Sequence, residues 1–96
     1  MKITIKGFFS IRESMGKVGQ LEMEVDKASV REILVMLSDR YGAGFKEEVF
    51  DPETNDIRPE NQILINGRHY RYSPAGLDTE LNEGDMLAIF PLVAGG

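Results

Sequence analysis

Two segments near the start of the chain alternate between apolar and polar residues. Residues 2–8 and residues 20–25 each place every second side chain on one apolar face. A period of two is typical of a half-buried β-strand, and two such strands joined by a loop predict an antiparallel hairpin. Within that loop, residues 10–16 predict a short helical turn that ends at a glycine. The predicted inward positions of the hairpin are Ile3, Ile5, Leu21, Met23 and Val25.

The next segment changes to a helical period. Apolar residues recur at intervals of three and four between residues 30 and 41, which predicts one amphipathic helix. Ser29, followed three residues later by Glu32, fits a capping box at the start of this helix. Gly42 fits the left-handed position that ends a helix. The predicted inward stripe is Val30, Ile33, Leu34, Leu37 and Tyr41.

The last third of the chain predicts three further strands. Residues 61–65 alternate, and the Asn66-Gly67 pair that follows is a strong signal for a tight hairpin turn. Residues 68–72 are predicted to return as the second arm of this hairpin. Residues 86–90 form a continuous apolar run, which predicts a central strand buried on both faces and ended by Pro91.

The order of these elements predicts an α+β fold, a β-grasp roll with a mixed sheet of about five strands and one main helix. The first and last strands are expected to form its central parallel pair. Residues 43–60 are the least regular part and are interpreted as a solvated loop, in which Phe45, Val49 and Phe50 pin a short helical turn to the core. Six acidic and two basic residues lie between residues 46 and 60, which leaves an acidic contact patch as the alternative.

Composition narrows the chemistry open to this chain. It has 96 residues, a formal net charge of −5 and no cysteine, which excludes disulfides, thiolate metal sites, iron–sulfur clusters and a cysteine nucleophile. The acidic balance argues against nucleic acid as a partner. Neither a membrane helix of ~20 apolar residues nor a secretory signal is found, so we expect a cytoplasmic chain with no membrane partner. The single histidine, His69, has no second ligand at matching spacing, and we expect no metal site.

The end of the sequence is its most informative part. Residues 86–96 contain no ionisable side chain and close on two glycines. Five extended residues from Leu92 span at most ~17 Å, enough to reach into another protein. Leu92 and Val93 would contact apolar walls, and the glycines would pass where a Cβ does not fit. We therefore predict a β-grasp domain over residues 1–91 and a flexible tail over residues 92–96, with a frayed, functionless tail as the alternative.

With these motifs the sequence resembles the MoaD/ThiS-like family of ubiquitin-like sulfur carriers, and within it the small subunit of molybdopterin synthase. Residues 8–13, Phe-Phe-Ser-Ile-Arg-Glu, are similar to the family's Phe-Phe-Ala-x-x-Arg-Glu. Residues 84–91 are similar to its Gly-Asp-x-Val-Ala-Phe-x-Pro, and residues 93–96, Val-Ala-Gly-Gly, match its ending. Two features depart from the family: Leu92 replaces a second proline common in the molybdopterin branch, and residues 43–61 exceed the length found in the shortest members.

The resemblance implies that the chain is not an enzyme on its own but carries sulfur. The reacting end would be the Gly95-Gly96 pair. An E1-like adenylyltransferase would use ATP to convert the carboxylate of Gly96 into an acyl-adenylate. A persulfide sulfur donor would then displace AMP and leave a thiocarboxylate. The tail would deliver that sulfur to the large subunit of molybdopterin synthase, which builds the dithiolene of the molybdenum or tungsten cofactor. The chain itself would bind no cofactor.

The resemblance also implies a set of partner-binding residues, which are Phe8, Arg12, Phe90, Leu92, Val93 and Ala94. Core packing of the two phenylalanines and full solvation of the arginine are the competing interpretations. The acceptor of the sulfur stays open, because longer relatives serve cysteine synthesis, tRNA thiolation, tungsten-cofactor pathways or conjugation to proteins. Thiamin thiazole is a further alternative acceptor. A plain β-grasp interaction module with an inert tail is the remaining alternative.

Overall fold

A computed structural model describes residues 1–91 of the chain. Within this range, five strands form one mixed sheet in the order β2-β1-β5-β3-β4. The strands are β1 (Lys2–Gly7), β2 (Gln20–Glu24), β3 (Asn61–Ile65), β4 (Arg68–His69) and β5 (Met86–Pro91). The helices are α1 (Ser10–Ser14), α2 (Val30–Tyr41) and α3 (Ala43–Val49), with 3₁₀ turns at Tyr70–Tyr72 and Gly76–Asp78. This is the predicted β-grasp roll.

The first and last strands lie side by side in the middle of the sheet and run parallel, as predicted. Their register pairs Ile5 with Leu87 and Gly7 with Ile89. β2 pairs with the outer side of β1, and β3 pairs with the outer side of β5, both antiparallel. The end of β5 therefore lies next to the segment that leaves β1, and these two segments form the site described below.

The core lies between one face of the sheet and the helices. Ile3 and Ile5 of β1, Ile63 of β3, and Leu87 and Ile89 of β5 are all fully buried. The α2 residues on the predicted stripe pack against them, and Phe45 and Val49 of α3 complete the cluster. Burial of this apolar surface is the main stabilising contribution to the fold.

The opposite face of the sheet is left uncovered, so the prediction that the last strand is buried on both faces is wrong. Leu87 and Ile89 point into the core, whereas Ala88 and Phe90 are half-buried and Met86 is exposed. The apolar run in β5 thus does not reflect two layers of packing. It places apolar side chains on a face that no residue in the range 1–91 covers fully.

Both ends of α2 follow local sequence signals. The Ser29 hydroxyl accepts a hydrogen bond from the Glu32 N–H at 3.2 Å, and the Glu32 carboxylate accepts one from the Ser29 N–H at 3.0 Å, which confirms the capping box. Gly42 ends the helix at φ 91° and ψ −167°. That backbone conformation favours glycine but is not the left-handed helical one predicted, because Gly42 also begins α3.

The two remaining predictions are confirmed in part. Residues 43–49 form the helix α3, and Phe45, Val49 and Phe50 are buried, which confirms the short helical turn pinned to the core; only the solvated loop is shorter than predicted. The hairpin turn is confirmed, with positive φ at Asn66 and Gly67, but its second strand stops at His69. The strand ends there because the chain enters a 3₁₀ turn that buries Tyr70.

Candidate partner-docking site

A stacked aromatic pair stands on the uncovered face, at the end of β5. The rings of Phe8 and Phe90 lie 4.2 Å apart between centroids and within 5° of parallel. Both side chains are half-buried and lie outside the core cluster. The Phe8 N–H donates to the carbonyl of Ile89 at 3.2 Å, which fixes the first ring beside the second. Core packing is therefore not their role in residues 1–91.

Two further apolar residues extend this surface along the sheet. Ala88 of β5 pairs in register with Leu64 of β3, and both are half-buried. We refer to Phe8, Leu64, Ala88 and Phe90 together as the open apolar strip. An apolar strip on a sheet face of a small protein is typical of a surface that another protein covers.

Gly7 positions the first residue of the strip. A Cβ at Gly7 would lie 2.5 Å from Sδ of Met15 and 3.1 Å from Cγ2 of Ile11, both of which are fully buried. The missing side chain lets α1 pack directly against the end of β1. The chain therefore leaves β1 with Phe8 beside β5 and Phe9 at the start of α1.

Phe9 combines an unusual backbone with an exposed ring. Its φ of 55° and ψ of −125° fall outside the regions that an L-residue with a bulky side chain normally adopts. Such a conformation costs about 1–3 kcal/mol, and nothing is gained by burial because the side chain is 64% exposed. Strain of this kind is concentrated at functional sites.

A basic groove adjoins the open apolar strip and shares Phe8 with it. Its volume is about 870 Å³, and Phe9, Arg12 and the chain around Gly19 form its other walls. The charged residues that line it are Lys6, Arg12, Lys17 and Glu13. The Arg12 guanidinium is exposed, and its Nε–H donates to the carbonyl of Lys17 at 3.5 Å. Three cations and one anion therefore face the groove.

The structure brings together the predicted site residues that it describes. Phe8 and Phe90 stack on one another, and Arg12 lies in the groove that Phe8 borders. The predicted residues Leu92, Val93, Ala94, Gly95 and Gly96 lie outside the described residues. All the described members of the set therefore surround the point from which the tail segment continues.

The described residues of this site do not form the arrangement that a metal ion needs. Within residues 1–91 no group of three or more His, Cys, Asp or Glu side chains is placed to hold a metal ion. His69 instead accepts a hydrogen bond at Nδ1 from the Arg71 N–H at 3.2 Å. In the same part of the chain, no helix has the length and apolar character needed to cross a bilayer.

Several residues of the site are missed by reasoning from sequence. Leu64 and Ala88 belong to the open apolar strip. The signal for Ala88 is the absence of polar alternation in the last strand, interpreted as two-sided burial, whereas Leu64 is an apolar residue in β3, a strand predicted only from its alternation. Phe9 belongs to the Phe-Phe motif but is not among the predicted site residues, and Lys6 and Lys17 line the groove without any local pattern that marks them. Their proximity follows from the sheet register, which pairs Lys6 with Gln20 and brings residues 17–20 beside α1.

Comparison with known proteins identifies the family. Residues 8–96 match the sequence model of the ThiS family. The chain belongs to the ThiS family. It is 35% identical over 78 residues to a protein of Archaeoglobus fulgidus named "Putative sulfur carrier protein", covering 81% of this chain and 85% of the relative. It is also 30% identical over 96 residues to small archaeal modifier protein 3 of Haloferax volcanii, covering all of both chains.

Solved structures of similar proteins share the fold. SAMP1 from Haloferax volcanii superposes with a TM-score of 0.81 at 27% identity, over the whole of both chains. A Pyrococcus furiosus protein described as "Putative molybdopterin converting factor, subunit 1" gives a TM-score of 0.72 at 31% identity, over 97% of this chain and 99% of that one. A chain of the Amycolatopsis orientalis BexX/CysO complex gives 0.77 at 30% identity, over 98% and 99%. The chain is thus one of the ubiquitin-like sulfur carriers and small archaeal modifiers.

Proposed function

We propose that this protein is a sulfur carrier in which the carboxylate of Gly96 becomes a thiocarboxylate. The observation that carries the proposal is the stacked Phe8–Phe90 pair, half-exposed at the end of β5 and just before Leu-Val-Ala-Gly-Gly at residues 92–96. An aromatic contact surface directly before a short segment without ionisable side chains suits a protein that docks on a partner and inserts its last residues into that partner. Similarity to the A. fulgidus sulfur carrier supports the same function.

The composition of the chain indicates which steps of the reaction its partners would carry out. A carboxylate is a poor electrophile, so an E1-like adenylyltransferase would first join it to AMP from ATP and release pyrophosphate. A persulfide sulfur on a partner would then attack the carbonyl carbon of Gly96 and expel AMP. A second thiol of the partner would cleave the S–S bond of the resulting acyl disulfide, which releases the thiocarboxylate of Gly96 and leaves a disulfide on the partner. Because this chain has no cysteine, it has no thiol to attack its own activated end, and the sulfur has to come from outside. Its own role would be to dock, to orient the end and to bind no cofactor.

For the acceptor we propose a pterin precursor of the molybdenum or tungsten cofactor, with this chain as the small subunit of molybdopterin synthase. The large subunit would then receive the tail. Support comes from the similarity to the P. furiosus protein described as a molybdopterin converting factor subunit and from the motifs at residues 84–91 and 93–96.

A second candidate function is conjugation to other proteins through Gly96. It is favoured by the match to small archaeal modifier protein 3, which covers the whole of both chains. The first step is the same acyl-adenylate in both cases. The two functions differ in the nucleophile that follows, a sulfur donor in one and a lysine amine in the other. Transfer of the sulfur to thiazole, cysteine or tRNA would change only the acceptor.

Intact-mass spectrometry tests the proposal directly. The purified protein is incubated with the E1-like adenylyltransferase of its own organism, ATP and a sulfide source. We expect one oxygen of the chain to be replaced by one sulfur, with fragmentation placing the sulfur on Gly96. A variant that lacks Gly96 should stay unmodified while its melting temperature is unchanged. An unmodified wild-type chain would contradict the proposal, and isopeptide remnants on cellular lysines would favour the modifier function.

A further inference from the structure

Phe9 is the first of two independent observations at the groove. Its ring is 64% exposed, and its backbone adopts a φ of 55° that glycine tolerates and phenylalanine does not. A strained backbone that holds a large apolar side chain in water gives the isolated protein nothing. It does present a rigid aromatic ring at a fixed place on the surface, beside Phe8 of the open apolar strip.

The second observation is the charge of the groove. The whole chain carries −5, yet the groove is lined by Lys6, Arg12 and Lys17 against the single acid Glu13. No carboxylate of residues 1–91 forms an ion pair with any of these three cations, whereas four other cationic groups do have acidic partners. The groove is therefore a local positive surface on an acidic protein.

We infer that the groove and the Phe9 ring form a second contact for the adenylyltransferase, distinct from the open apolar strip. The matching surface on the partner is an acidic segment, whose carboxylates face Lys6, Arg12 and Lys17, next to an apolar pocket that takes the Phe9 ring. The inference rests on the proposed function in naming the adenylyltransferase as the partner. The charge of the groove fixes the acidic chemistry of the occupant, and continuity with the strip at Phe8 places it on the docking face. We commit to the adenylyltransferase because it is the partner that both candidate functions require.

Each part of the contact has a different physical effect. An aromatic ring that enters a dry pocket slows dissociation, and few residues contribute as much to affinity. Exposed cations act at longer range, since they speed association with an acidic surface and lose this effect as salt screens them. The backbone conformation fixes the direction in which the side chain leaves the surface, so docking restricts only the rotation of the side chain.

A pair of Phe9 substitutions separates binding from strain. Phe9→Ala and Phe9→Gly both remove the ring, but only glycine relieves the backbone. We expect both variants to bind the adenylyltransferase about 30-fold more weakly in calorimetry. Phe9→Gly should also melt about 5 °C higher than wild type, whereas Phe9→Ala should not. Binding by both variants within about twofold of wild type would overturn the assignment of the ring.

Charge reversal tests the groove. The triple variant Lys6→Glu, Arg12→Glu, Lys17→Glu should associate with the adenylyltransferase at least tenfold more slowly at low salt, and its rate should rise with salt whereas that of the wild type falls, because the reversed groove repels an acidic surface. A matched control reverses three exposed cations outside the groove that, like those of the groove, have no ion pair within residues 1–91, Arg40→Glu, Lys46→Glu and Arg68→Glu, and should associate within about threefold of wild type. If association slowed equally in both triple variants, only net charge would matter, and the assignment of the groove as a contact would be wrong.

Failure of this inference and failure of the proposed function give different results. If the wild-type chain gains no sulfur in the mass assay, the proposed function is wrong. If the wild type gains sulfur and the Phe9 and groove variants gain it at the same rate with unchanged binding, the function stands and the second contact is wrong. Competition by a single-stranded RNA oligonucleotide for the groove would assign it to a nucleic acid instead.

Discussion

At the start of β3 a buried side-chain amide joins two elements that are distant in sequence. Asn61 is 4% exposed, and its side-chain amide donates to the carbonyl of Glu48 at 2.7 Å and to that of Val49 at 3.4 Å. Carbonyls at the end of a helix have no partner inside the helix. The Asn61 amide therefore supplies the donor for the Glu48 carbonyl, joins the Arg58 N–H at the Val49 carbonyl, and attaches α3 to the sheet.

Replacing this amide should destabilise the fold. We expect Asn61→Ala to lower the free energy of unfolding by about 1–3 kcal/mol, because the Glu48 carbonyl loses its donor and the amide's link between α3 and the sheet is removed. Thermal melting followed by circular dichroism should show a fall of roughly 5–15 °C. The adjacent exposed Gln62 provides the control, and Gln62→Ala should change the unfolding free energy by no more than about 0.5 kcal/mol. Equal effects of the two substitutions would contradict the assigned role.

The role of a residue can be predicted from the sequence when its partners are close to it along the chain. Ser29 with Glu32, and Asn66 with Gly67, act on neighbours within four positions, so their patterns predict the capping box and the hairpin turn. The partners of Asn61 lie 12 and 13 positions away. No local pattern marks such a residue, because its role depends on tertiary packing.

At the scale of elements, α2 shows how one cap contributes to stability. We expect Ser29→Ala to lower the unfolding free energy by about 1 kcal/mol, since the N–H of Glu32 loses its acceptor at the helix start. Urea denaturation should show a lower midpoint with an unchanged slope. Asp39→Ala, at an exposed position of the same helix, serves as the control and should leave the midpoint in place. An unchanged midpoint for Ser29→Ala would exclude the cap as a stabilising feature.

Elements with a complete local pattern were predicted with nearly correct bounds, and the others were not. The period of three and four gives α2 from Val30 to Tyr41, as the structure shows. α3 has only seven residues, too few for a clear period, and its start depends on how Gly42 redirects the chain. The second hairpin strand is cut short by burial of Tyr70, a contact made outside the hairpin.

At the scale of the whole molecule, one face of the sheet is packed and the other is left for contact. We expect Phe90→Ala to weaken binding to the adenylyltransferase at least tenfold, because half of the stacked pair is lost. The folded state should be affected far less, since the ring lies outside the core cluster. Val35→Ala, at a 48% exposed apolar residue on α2, is the matched control and should bind like wild type.

Surface plasmon resonance against the immobilised adenylyltransferase measures this difference. If Phe90→Ala bound as well as Val35→Ala, the open apolar strip would not be the docking surface.

The sequence predicts the whole fold better than it predicts the site. The mixed sheet of about five strands and the central parallel pair of the first and last strands are predicted from the order of the elements, and both are confirmed. The same apolar run gave a wrong picture of Ala88 and Phe90, because periodicity does not distinguish residues covered by a second layer from residues kept for a partner. Phe9 and Arg12 are neighbours at α1, but Lys6 reaches the chain around Gly19 only through the register of β1 and β2.

The parallel pairing of β1 with β5 also affects folding during synthesis on the ribosome. Ile5 has no strand partner on the β5 side until Leu87 is synthesised, 82 residues later. The hairpin of β1 and β2 and the helix α2 can form early, but the middle of the sheet stays vacant until nearly the whole sequence has been translated. Contacts between such distant positions form slowly. The nascent chain therefore shows unpaired strand edges and uncovered apolar residues throughout its elongation, a period in which chaperones have access to it.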